Sequence, residues 1–151
     1  MKSDEILKLF DSSPALEEFL TKATRATNEV GLSLGTSGTR YRMTEGKRRS
    51  VTLSAHLRAD EPVIHVHTHP WIAAGDRDEP MEMSGADREM LERRGVAGQI
   101  ILARSLSNDT WFGTCYSPDG NTTNFKIEFE GDINGPREER FVSSATVVPI
   151  N

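Results

Sequence analysis

The stretch 63–70, Val-Ile-His-Val-His-Thr-His-Pro, constrains the fold more than any other part of the chain. Its spacers are Val and Thr, residues that favour the extended backbone, so the run predicts a strand. In a strand, residues two apart share one face and stand about 6.5 to 7 Å apart along the chain. His65, His67 and His69 therefore line one side, and they are three of the four histidines in the sequence. Neighbouring imidazoles at that spacing reach a common metal ion. The plain alternative is a partly buried strand whose histidines face solvent or bond to backbone. Pro70 has no N–H to give a sheet ladder and ends the strand.

The other elements are read around this strand. Ser3-Asp4-Glu5 ahead of Ile6, Leu7 and Phe10 predicts a short capped helix, broken at Asp11-Ser12-Ser13. Ser13-Pro14 starts a second helix, whose Leu16, Phe19, Leu20, Ala23 and Thr27 follow the three-four spacing of a buried stripe. The period then changes. Residues 29–35, 41–44 and 50–57 predict strands, the last two flanking the turn Glu45-Gly46-Lys47. Residues 71–83 show no usable period and predict a loop. Ser84 opens a helix to about residue 94, with Gly95 as its stop. Residues 96–103 form a nearly continuous apolar run, the pattern of a central strand buried on both faces. Strands over 110–116 and 124–129 flank the turn residues 117–121, residues 130–140 form a polar loop, and 141–150 is a final, peripheral strand. The fold class is α/β: a mixed, curved sheet with the leading helix on one side and the Ser84 helix on the other.

Bulk properties narrow the function classes. A chain of 151 residues fits a single domain spanning 1–151 and buries roughly 70% of its unfolded surface. No apolar run approaches the roughly 20 residues needed to span a membrane, and the acidic start leads into no signal-peptide core. A lone cysteine, Cys115, makes no internal disulfide and fits a reducing compartment, so the cytoplasm is the expected location. The formal net charge is -5, and the acidic excess falls in the part that contains the histidines. That balance argues against nucleic acid as a partner. The basic run Lys47-Arg48-Arg49 is read as a solvated loop.

Three features line up in chain order: Glu29 at the entrance of Val30-Gly31-Leu32-Ser33-Leu34-Gly35, then His67-Thr68-His69-Pro70, then Ser84-Gly85-Ala86-Asp87. Together they resemble the JAMM (MPN-plus) metalloprotease family, whose pattern is an upstream Glu, His-x-His-Pro and Ser-x-x-Asp. The resemblance covers about residues 15–130 and is closest to the small stand-alone prokaryotic members. It implies a cytidine-deaminase-like sheet, a zinc ion held by His67, His69 and Asp87, Glu29 as general base and Ser84 as hydroxyl donor to the oxyanion. Two imidazoles and one carboxylate leave a fourth position open for water, as in catalytic rather than structural zinc sites. The implied activity is hydrolysis of a peptide or isopeptide bond after the C-terminal tail of ubiquitin or a ubiquitin-like modifier.

Each residue has a plainer reading too. Ser84 and Asp87 alone make a helix capping box, and Glu29 alone is an acid at a strand end. Glu45 is a substitute base to consider. His65 falls outside the family pattern and is read as support, while His56 and Cys115 are read as structural. The gap 71–83 is longer than the family's. It is read as a flap bearing Trp71, Met81 and Met83; in the alternative, Asp76 or Asp78 replaces Asp87 as ligand. Two other functions compete. His65, His67 and His69 could act as a metal-free histidine triad on nucleotides, or the chain could be a zinc-bearing scaffold without turnover. The modifier, the oligomeric state and any activating partner are not legible.

Overall fold

The computed structural model describes residues 1–47, 51, 53, 61–69, 85–93, 95–104 and 110–150, with the backbone alone at 85 and 86. Helices α1 (Ser3–Ser12) and α2 (Leu16–Arg25) lead the chain. Strands β1 (Val30–Gly35), β2 (Tyr41–Glu45) and β3 (Val63–His69) follow, then helix α3 (Gly85–Leu91). Strands β4 (Val96–Arg104), β5 (Trp111–Tyr116), β6 (Thr122–Asp132) and β7 (Phe141–Pro149) complete it, with a 3₁₀ turn at Arg137–Glu139. The seven strands form one mixed sheet in the order β2-β1-β3-β4-β5-β6-β7. Only β3 and β4 run parallel among these pairs, joined by the crossover that carries α3. No helix of the described residues is long and apolar enough to cross a membrane.

The core lies between α1, α2 and one face of the sheet. Ile6, Phe10, Leu16, Phe19 and Leu20 are fully buried against Leu32, Leu34, Ile64, Val66, Ile100 and Leu102. Phe10 and Phe19 meet edge to face at 6.3 Å. Because strand side chains alternate, the intervening residues His65, His67 and Gln99 project to the other face. There α3 packs on β4, and the Gln99 amide nitrogen donates to the backbone oxygen of Asp87 at 3.3 Å. The expected placement of helices on opposite faces is therefore observed. So is the central, doubly covered strand: β4 is fourth of seven and buried along most of its length. Gly95 sits at φ 95, a left-handed conformation that suits glycine, and turns the chain from α3 into β4.

Local readings are corrected in three places. Ser3 does not cap α1; its hydroxyl is spent on Asn121 at 2.6 Å, across the molecule. Helix α2 starts at Leu16, because Ser13 accepts the Ala15 N–H in a preceding turn, and it ends at Arg25, leaving Thr27 exposed outside the stripe. Strand β6 continues through Asp132 into the stretch expected as loop, pairing Glu130 with Ser144 and Asp132 with Phe141 around a bulge. The expected strand 50–57 falls largely outside the described residues. His56, Pro70, the stretch 71–83 with Trp71, Asp76, Asp78, Met81 and Met83, and Ser84 lie wholly outside them.

Candidate metal centre

Three chain segments meet at one end of the sheet. The antiparallel register of β1 and β3 sets Gly31 opposite His67, and continuing it brings Glu29 level with His69. His67 and His69 share a face, their ring centroids 5.3 Å apart. One ligand atom from each of Glu29, His67 and His69 lies within 4.8 Å of the others, so this group can hold a metal ion. Asp87 arrives from α3, its Oδ2 3.5 Å from His67 Nε2. Ligand atoms around a tetrahedral ion stand roughly 3.4 Å apart. The His67–Asp87 pair matches that spacing, and the Glu29–His67–His69 group is bounded more widely, at 4.8 Å.

The sequence expectation placed Asp87 beside the two histidines as ligand, with Glu29 as base. The structure brings all four side chains to one place, and the three whose ligand atoms lie mutually within 4.8 Å are Glu29, His67 and His69, with Asp87 joined to them through His67. Glu45 ends β2 exposed to solvent. His65 is fully buried beside its register partner Gln99. Cys115 is buried in the core, where desolvation pushes its thiol up and makes it inert.

The electrostatics suit a cation. Glu29 is only 8% exposed, and burial raises its carboxyl above the ordinary value; His67 opposes that rise and Asp87 adds to it. His69 is pushed down to about 4, first by burial and then by His67, against the opposing pull of Asp87. Its imidazole is neutral at ordinary pH and keeps a lone pair for a metal. A cation placed here relieves the mutual repulsion of the two carboxylates. Their donor set, two nitrogens and two oxygens, is one that first-row ions accept.

Compared with family models, with characterised proteins and with solved structures, the chain finds no match.

Two supporting contacts escaped the sequence reading. Thr68, taken there as a spacer, turns to the opposite face, where its buried hydroxyl accepts the Val30 N–H at 3.0 Å. Together with the Glu29 N–H to Lys47 oxygen bond at 2.9 Å and the Gly46 N–H to Glu29 oxygen bond at 2.8 Å, it fixes the backbone around Glu29. Gln99, through the Asp87 carbonyl, ties α3 to the sheet. Thr68 carried a usable signal, since a hydroxyl between two histidines that share one face of a strand must face the neighbouring layer. Gln99 carried none beyond being a polar residue in an apolar run.

Proposed function

We propose that the chain is a zinc-dependent hydrolase of peptide or isopeptide bonds, acting after the C-terminal tail of a ubiquitin-like modifier as the JAMM resemblance implies. The observation that carries this reading is the convergence of Glu29, His67, His69 and Asp87, distant in sequence, at ligand-like separations. Two nitrogens with a carboxylate oxygen suit zinc, and three protein ligands, with the fourth of these side chains kept as base, is the pattern of a catalytic site. A bound zinc ion supplies Lewis acidity, polarising the scissile carbonyl and making water easier to deprotonate.

The chain's own groups do the rest. His67, His69 and Asp87 would hold the ion. Glu29, held out of water and with its carboxyl raised, is a stronger base than an exposed glutamate. It takes the proton of the attacking water and returns it to the leaving amine as the C–N bond breaks, giving a carboxylic acid and an amine. Thr68 keeps the Glu29–Val30 peptide in place. Ser84 retains the role implied by resemblance, a hydroxyl donor to the developing oxyanion.

The tight grouping of Glu29 with the histidine pair favours a second arrangement of the same residues, Glu29 as ligand and Asp87 as base. Glu29→Gln separates the two. The test is cleavage of ubiquitin-like precursors and conjugates by the zinc-loaded chain, with chelator controls and metal analysis of both proteins. As base, Glu29→Gln abolishes turnover and leaves zinc content unchanged; as ligand, it loses both. Retained turnover sinks both arrangements.

A further inference from the structure

A second feature lies at the same end of the sheet, beyond the metal cluster. A cavity of about 80 Å³ opens between the end of α2, the ends of β3 and β4, and the start of β5. Thr24, Arg104, Trp111 and Arg140 line it, with Thr68 and His69 on the side towards the centre. Among the described residues, none that lines it is acidic. Trp111 and Thr24 are 3% and 4% exposed, yet the indole Nε1 and the hydroxyl oxygen have no hydrogen-bond partner among the described residues. Buried polar atoms are normally satisfied, so two orphans on one cavity point to a missing ligand.

The charge points the same way. Arg140 spends its Nε on the Gly135 oxygen at 2.8 Å and one terminal nitrogen on the Thr24 oxygen at 3.1 Å, both neutral carbonyls. Its own carbonyl is held by Arg25 at 2.7 Å. The guanidinium is thus anchored without a carboxylate partner among the described residues, and its second terminal nitrogen donates to none of them. Arg104 adds a second guanidinium. Donors dominate this lining, and its volume leaves room for a small anionic group such as a carboxylate.

We propose that this cavity binds a carboxylate carried by the substrate, seated beside His69 while the scissile bond lies at the metal centre. The inference rests on the peptidase reading for its place in catalysis, but the binding itself does not. The carboxylate is either the substrate's C-terminus or an acidic side chain, both of which present the same two oxygens to the arginines.

Two measurements test it. In the first, the full chain is stripped of metal and titrated with acetate while the Trp111 indole ¹H–¹⁵N cross-peak is followed, assigned by its loss in Trp111→Phe. The cross-peak should move saturably with acetate, stay put with acetamide, and need several-fold more acetate in Arg104→Gln. No movement, or the same movement with acetamide, overturns the proposal. In the second, the zinc-loaded chain cleaves matched peptides ending in a free acid, in an amide, or in an amide with an aspartate near the end. The carboxylate-bearing peptide should show a roughly tenfold lower KM than the plain amide. Arg104→Gln and the isosteric Thr24→Val should erase that difference with the amide's kcat unchanged. The aspartate peptide tells a side-chain from a terminal carboxylate. Cleavage without preference, together with no acetate response, removes the cavity's role and leaves the peptidase reading standing. Acetate binding without cleavage of any peptide does the reverse.

Discussion

Acidifying the metal-free chain should destabilise it through His69. In an unfolded chain this imidazole titrates near 6.5, whereas in the fold burial and His67 hold it down at about 4. Above the unfolded value both states are neutral and the group contributes nothing to the pH dependence. Between the two values the unfolded chain binds the proton and the folded one does not, so stability falls as pH drops from about 6.5 towards about 4 and levels off below. A difference of about 2.5 at 1.36 kcal/mol per pH unit corresponds to roughly 3 kcal/mol, and solvent screening of the half-buried ring brings it nearer 2 kcal/mol. Urea unfolding in EDTA at about pH 7, 5.5 and 4, for the wild type and His69→Gln, measures it. The raised Glu29 carboxyl acts in the opposite sense but is present in both proteins, so the difference between the curves isolates His69. The reasoning is refuted if the two stability profiles run parallel across that range.

Thr68→Val should cost about 1–3 kcal/mol, because it leaves the Val30 N–H buried without an acceptor, and should lower kcat by loosening Glu29; Thr68→Ser should restore most of both in urea unfolding and turnover assays. Gly113→Ala should lower the urea midpoint by an amount equivalent to about 1–3 kcal/mol, since a Cβ there collides with the Ile101 carbonyl and presses on Leu102 and Phe125; an unchanged midpoint would mean that β4 and β5 pack less closely than described.

The sheet was largely legible because its strands carry their own pattern. Alternation marked β1 and β3, and the unbroken apolar run of β4 announced a strand covered on both faces. The end of β6 was not legible, because Glu130, Gly131 and Asp132 are exposed and joined to β7 by backbone pairing, which needs no apolar residue. The start of α1 was read correctly but not its cap, and the start of α2 was placed too early, because Ser3 and Ser13 use their hydroxyls on a distant loop and in a preceding turn. In the site, the histidine pair follows from the period of one strand. The meeting of Glu29 with His69 depends on the register between β1 and β3, and that of Asp87 with His67 on the docking of α3 through Gln99. Neither is written in local sequence, and only the motif spacing suggested them. The cavity of Arg104, Trp111 and Arg140 draws on segments far apart in the chain and had no sequence signal at all.

Metal content is the most direct test of the centre. The purified chain, dialysed against zinc and then against buffer, should retain close to one zinc ion per molecule by elemental analysis, and the His67→Ala/His69→Ala double variant, folded by circular dichroism, should retain almost none. A wild-type chain that holds no zinc, or a double variant that holds as much as the wild type, would contradict a metal site built on the histidine strand.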